Sequence, residues 1–317
     1  MGLLSGSGDA DRAEELCELA RSDPDAAAGA ADELRELLAS DEADSRTAAA
    51  DALFHLAPSH PDAVEPAVDR LLSRLDDGDA SSRRRAADAL VALVDADPAT
   101  FSAWVETTAP RLDDDDPYVR ATIANVFALL AAERPSNVLS AVEDLWTALV
   151  DPGDWDVRVF ATGALADIAV RHPDEVVPAV EQTIANAGKP VPALQVAAVD
   201  LLATVGVDQP GVVDDEVDEV LADIAQNAPP SQREAALLAI GRLGSACPGC
   251  IPTALETVAP ALAADDRAVR RGAAAAYVAI ASSRPDAVPT DEATRQRLWW
   301  LADEVDQPIA ALLDRLS

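Results

Sequence analysis

A proline returns at Pro24, Pro61, Pro98, Pro135, Pro173, Pro210, Pro248 and Pro285, so the chain carries a period of 37 or 38 residues. A fixed period of this length marks stacked supersecondary units, each too small to bury its apolar face without a neighbour. The register extends beyond the proline. Fifteen residues upstream of it stand Arg46, Arg83, Arg120, Arg158, Gln195, Arg233 and Arg270, with Asp9 in the first repeat. Four residues before several of these stand Asp79, Asp116, Asp154 and Asp266.

Between arginine and proline the apolar residues fall at helical spacing, as in Ala49, Ala52, Leu53, Leu56 or Ala161, Ala164, Leu165, Ile168. This is the buried stripe of an amphipathic helix. A second stripe follows the proline, as in Val64, Val68, Leu71, Leu75, with the proline near a helix start, where its missing N–H costs nothing. Each repeat therefore reads as two helices, with aspartate capping the first and clusters such as Asp76-Asp77-Gly78-Asp79 turning the chain between repeats. The expectation is an all-α protein of fifteen or sixteen helices without a sheet. The fifth joint departs from the pattern: Gln195 replaces arginine, Val191-Pro192 replaces the aspartate cap, and Gly188-Lys189-Pro190 precedes them. An irregular joint is expected there.

The two-helix repeat, with Asp-x-x-Val-Arg at Asp116, Val119, Arg120, at Asp154, Val157, Arg158 and at Asp266, Val269, Arg270, and with Pro-Asp-x-Val at Pro61, Asp62, Val64 and at Pro173, Asp174, Val176, resembles the HEAT repeat. The resemblance implies an α-solenoid of about eight HEAT-like repeats of 37–38 residues forming a single domain over 9–317. Residues 1–8 would be a flexible tail and 290–317 the closing, capping helices. In HEAT proteins the arginine ladder (Arg46, Arg83, Arg120, Arg158, Arg233, Arg270) is structural; anion or acidic-peptide binding is the competing reading. The resemblance also implies that the second helices line the concave side.

Charge narrows the function. With 57 acidic against 24 basic side chains, the formal net charge is -33. That excludes a nucleic-acid clamp, which needs a basic stripe. The absence of an 18-residue apolar run and of a basic, then apolar, start leads us to expect neither membrane span nor secretory signal, and a cytoplasmic location. Lys189 is the only lysine, and the acid is spread along the whole chain, which resembles proteins of salt-loving archaea. At molar salt, screening removes most of the self-repulsion such a charge causes.

Eight residues after the proline runs a second row: Asp32, Asp69, Glu106, Glu143, Glu181, Asp218 and Glu256. On the second helix this position lies at the solvent margin of the buried stripe. It reads either as a solvated face or as an acidic groove suited to a basic segment of a partner protein. Trp104 stands two residues before Glu106 and takes a margin position held elsewhere by Ala67, Ala141, Ala179 and Ala254; it is a packed margin or a binding anchor, as is Trp155 at a helix start. Trp299 falls where Leu75, Leu112, Leu149 and Leu262 stand, so it is expected to close the last apolar layer.

Catalytic signals are sparse. His55, His60 and His172 lack the following glutamate by which HEAT-built deoxyhypusine hydroxylases hold iron, and His60 and His172 read as exposed turn residues rather than metal ligands. Cys247-Pro248-Gly249-Cys250 occupies an inter-helix turn and reads as a tolerated turn sequence, a disulfide, or a metal or intersubunit pair; Cys17 reads as inert. The expectation is a non-catalytic scaffold or adaptor that binds one or more proteins, with no cofactor, nucleic acid or membrane. The alternative is a lyase-like or enzyme-accessory chain holding a small molecule or chromophore in the groove.

Overall fold

A computed structural model describes residues 6–150, 154–301 and 309. Every regular element among them is helical. Eight long helices carry the architecture: Gly6–Ser22, Ala43–Leu56, Ala80–Ala96, Pro117–Glu133, Trp155–Ala169, Pro192–Asp208, Pro230–Ala246 and Arg267–Ser283. The first begins inside the segment read as a tail.

Local chemistry sets both ends of these helices. Asp79 accepts from the Ser82 amide at 2.9 Å, Asp116 from the Tyr118 amide at 3.0 Å and Asp266 from the Ala268 amide at 2.8 Å, each satisfying an N–H that has no partner within its helix. The repeat proline stops the helix, because its ring forbids the helical conformation to the residue before it. Asp97 (φ -146, ψ 87) and Arg284 (φ -139, ψ 72) accordingly leave the helical region.

The second element of each repeat is less regular than the periodicity predicts. After Pro61 the chain runs Pro61–Val64, a 3₁₀ turn Glu65–Ala67, and only then the helix Val68–Arg74. Pro66, and Pro178 in the corresponding turn of the fifth repeat, lack an amide and are accommodated at this break, which also occurs at Ser102–Trp104, where no proline stands. The apolar stripe survives the break, since Val64, Val68, Leu71 and Leu75 are all buried.

The chain divides into two compact units, 1–164 and 165–317. The boundary falls within the fifth long helix, at a place the 37-residue period does not mark. In the first unit the first four long helices pack in chain order, around Leu16, Leu53, Leu90 and Phe127, all nearly or fully buried. Full burial of each such side chain stabilises by about 1.5–3 kcal/mol. In the second unit the sixth, seventh and eighth long helices pack in chain order. The seventh and eighth approach closely through small residues: a Cβ placed on Gly241 would lie 2.7 Å from the Ala276 Cα.

The joint before the sixth long helix, expected to be irregular, lacks a side-chain cap, as do those at Glu42 and Pro229. Val191 is extended (φ -114, ψ 105) and makes no side-chain cap, while Pro192 takes the first helical position. Of the segment 290–317, the helix Glu292–Leu301 is described; residues 302–308 and 310–317 lie outside the described residues. No helix among the described residues is long and apolar enough to cross a membrane.

Candidate functional site

The arginine ladder turns inward to the backbone. Arg46, Arg83, Arg120 and Arg270 donate to the carbonyls of Ser40, Asp77, Asp114 and Ala264, each six residues earlier. Arg158 and Arg233 reach eight residues back, to the carbonyls of Val150 and Ala225, and Gln195 donates likewise to Ala187 at 3.1 Å. Each thus satisfies a carbonyl freed where a second element ends. In the first unit the guanidinium groups also span repeats: Arg46 grips Asp77 at 2.5 and 2.8 Å, and Arg120 reaches Asp154 at 2.7 Å.

Asp77 is the most heavily served of these carboxylates. Besides Arg46 it accepts from the Asp79 amide at 3.0 Å, the Ser82 hydroxyl at 3.2 Å and Arg74 at 3.3 Å. Burial alone would raise its pKa, but these donors outweigh burial and hold it down at about 2.

The acidic row is solvent-facing at six of its seven positions. Asp32, Asp69, Glu106 and Glu143 are exposed in the first unit, Glu181 and Glu256 in the second. Asp218 is a correction: it is only 3% exposed, accepting from the amides of Thr253 at 2.9 Å and Ala254 at 2.7 Å. The second element of the seventh repeat begins with a 3₁₀ turn, Pro248–Cys250, so its helix Pro252–Leu255 starts late, and a carboxylate of the preceding repeat caps it.

Trp104 is half-buried and donates its indole N–H to Asp69 Oδ1 at 2.6 Å, joining two neighbouring row positions. Its ring lies 6.0 Å from Phe101. Trp299 is a second correction. It is 63% exposed beside Trp300, while Leu298 and Leu301 are buried. The last helix begins seven residues after its repeat proline, as at Val68, Val105, Val142 and Val180, but Val288 before it is extended (φ -128, ψ 148), so the chain enters this helix on another path and Leu298 and Leu301, not residue 299, take the buried face. Trp155 is partly exposed, with the Arg158 guanidinium 4.9 Å from its ring centre.

His60 and His172 precede their repeat prolines, and His60 Nε2 lies 2.8 Å from Asp25 Oδ1 of the preceding repeat. His55 sits on the second long helix, where its Nε2 accepts from Arg21 at 3.1 Å. Among the described residues no group of three or more histidine, cysteine, aspartate or glutamate side chains is placed to hold a metal ion. The structure joins Cys247 and Cys250 as a disulfide, one of the three readings of that turn.

One network escaped the sequence reading. Asp51, 7% exposed on the second long helix, accepts from Arg21 and from the Cys17 thiol at 3.2 Å, with Arg85 at 3.4 Å. Burial and the Asp51 hydrogen bond push the Cys17 thiol up to about 12, so it stays protonated and is a poor nucleophile. The available signal was a carboxylate inside the apolar run Ala49–Leu53, a position that requires paired charge.

No family model matches the sequence, and no curated protein matches it. Among solved structures 385 chains match. One is the crystal structure of an engineered protein from the Northeast Structural Genomics Consortium, at 23% identity and a TM-score of 0.50, covering 80% of this chain and 97% of that one. The likeness concerns the fold alone.

Proposed function

We propose that this chain is a HEAT-like α-solenoid of a salt-adapted cytoplasm that binds a partner protein along the acidic row of its second elements, without catalysis. The observation that carries the reading is the recurrence of an exposed carboxylate at one register in consecutive repeats, at Asp32, Asp69, Glu106 and Glu143. Trp104 supports it, because its half-exposed ring beside Asp69 offers an apolar contact where attraction between charges is screened. The partner segment this row suits is basic, with at least one side chain able to lie against the indole.

An arginine-rich synthetic peptide tests the row in molar potassium chloride. Glu106→Gln with Glu143→Gln is expected to weaken its binding severalfold, and Trp104→Ala more than either single row change. Asp62→Asn with Asp95→Asn, both exposed and off the row, serves as the charge-matched control. Equal losses from the two pairs assign the effect to net charge and remove the site. Capture of partners at native salt with the wild-type and Trp104→Ala chains then identifies what binds.

A further inference from the structure

What every repeat needs for folding recurs at one register, so a residue that breaks the register without a packing reason calls for another explanation. The position thirteen before the repeat proline carries Ala48, Arg85, Thr122, Ala197, Ala235 and Gly272, but phenylalanine at Phe160. In the first unit Phe160 lines a cleft of about 410 Å³ on the long helices, together with Phe54, Val91, Tyr118 and Ala121. The chain has only 4 phenylalanines and 2 tyrosines, and three of these six rings line this cleft. Tyr118 is 45% exposed, and Phe54, Val91 and Phe160 are each left partly open to solvent. An apolar floor of this kind, open to water, is typical of a binding surface rather than of a completed core.

The charges around the cleft are distinguishable. Asp88 is neutralised, receiving the Tyr118 hydroxyl at 2.6 Å and Arg85 at 3.1 Å. Arg84 is held by Asp116 at 3.0 Å. Asp156 also lines the cleft, is exposed, and makes no ion pair among the described residues. The surplus charge at the cleft is therefore negative.

We infer that this cleft is a second docking site, distinct from the acidic row, for a segment of a partner protein that inserts an apolar side chain between Phe54 and Phe160 and sets an arginine or lysine against Asp156. Charge complementarity selects the cation. The apolar floor supplies attraction that persists at molar salt, where the ion pair alone is weak. This inference does not depend on the acidic row, which lies on other elements.

Three short fluorescent peptides test it by anisotropy with the full chain in molar potassium chloride. One places leucine and phenylalanine on one helical face and arginine on the other, a second has glutamate for arginine, and a third has serine for the apolar residues. The first is expected to bind saturably and more tightly than both others. Phe160→Thr, which installs the residue of the preceding repeat, is expected to weaken it at least about tenfold, and Asp156→Asn about threefold. An unchanged thermal melt for Phe160→Thr shows that the fold is intact; if that variant melts early, Phe54→Val, the residue of the next repeat, replaces it. No saturable binding by the wild type, equal binding of all three peptides, or full affinity in Phe160→Thr would each overturn the inference. Loss only on Glu106→Gln with Glu143→Gln would assign the peptide to the acidic row and also overturn it. Concentration-dependent dimerisation abolished by Phe160→Thr would make a second copy the occupant and refute the foreign partner.

Discussion

Replacing Asp77 by asparagine removes one buried negative charge while keeping the shape of the side chain. Burial opposes the shift, but the carboxyl is pulled from its ordinary 3.8 to about 2 by donors from Arg46, Asp79 and Ser82, which overcome it. A difference of nearly two pH units corresponds to about 2 kcal/mol of stability. Because the folded pKa is depressed, this stability is fully present above about pH 4 and disappears as pH falls through about 2. Wild type should therefore exceed Asp77→Asn by about 2 kcal/mol at pH 6, with the gap shrinking steadily as the pH drops below about 4. Urea titrations followed by far-UV helicity at constant molar salt measure the gap. Asp76→Asn is the internal control, since Asp76 is 64% exposed and its pair with Arg111 is a surface one, expected to contribute well under about 1 kcal/mol. A gap below about 0.5 kcal/mol at pH 6, or one independent of pH, would refute the claim that Arg46 and Asp77 form a stabilising staple.

Gly241→Ala should destabilise by about 1 kcal/mol or more despite the better helix propensity of alanine, because the new methyl group meets the Ala276 backbone at 2.7 Å. Gly163→Ala, with nothing within 4 Å of the added carbon, should stabilise by up to about 1 kcal/mol; opposite signs in paired thermal melts are the expected result. With a net charge of -33, the melting temperature should rise markedly from about 0.1 M to about 2 M potassium chloride, more than for a near-neutral helical control, and a flat response would mean that the acid is not salt adaptation.

The helical class and the eight long helices were legible because proline, aspartate and the apolar stripe each act over one or two turns of chain. Pro98 ends one helix and Asp116 starts another by chemistry confined to neighbouring residues. The misreadings have the opposite character. Asp218 is buried because the helix of the next repeat starts late, a fact about residues 248–252 rather than about the row. Trp299 faces solvent because Val288 is extended and redirects the chain ahead of the last helix, although both that helix's start and residue 299 lie at the same distance from the repeat proline as in earlier repeats. Asp51 needed knowledge that Cys17, Arg21 and Arg85, on the helices either side in sequence order, converge on it. Counting from the proline survives the 3₁₀ turns at Glu65–Ala67 and Val177–Ala179, beyond which Asp69 and Glu181 are exposed as counted, and fails where the chain turns extended between the proline and the helix, as at Val213 before Asp218 and at Val288 before Trp299.

The scarcity of cations constrains any partner. The chain has 24 basic side chains, and its arginines are largely engaged within the fold: Arg46 on Asp77, Arg84 on Asp116, Arg120 on Asp154, Arg233 on a backbone carbonyl, Arg242 on Asp200 and Arg271 on Glu234. Breaking such a pair to recruit a guanidinium for a ligand would leave its carboxylate uncompensated, at a cost of several kcal/mol where the site is buried, as at Asp77. The molecule therefore has few cations to offer outward, while Asp69, Glu106, Glu143 and Asp156 remain exposed. An acidic partner would meet repulsion at short range, and salt would weaken that repulsion without supplying attraction. A basic partner gains from every exposed carboxylate, but at molar salt only those pairs made in contact with an apolar surface keep their strength, since there water and ions are excluded. Exposed carboxylates lie beside aromatic rings at Asp69 with Trp104 and at Asp156 with Phe160. Affinity is accordingly expected to concentrate at these two places rather than to spread evenly over the acidic surface.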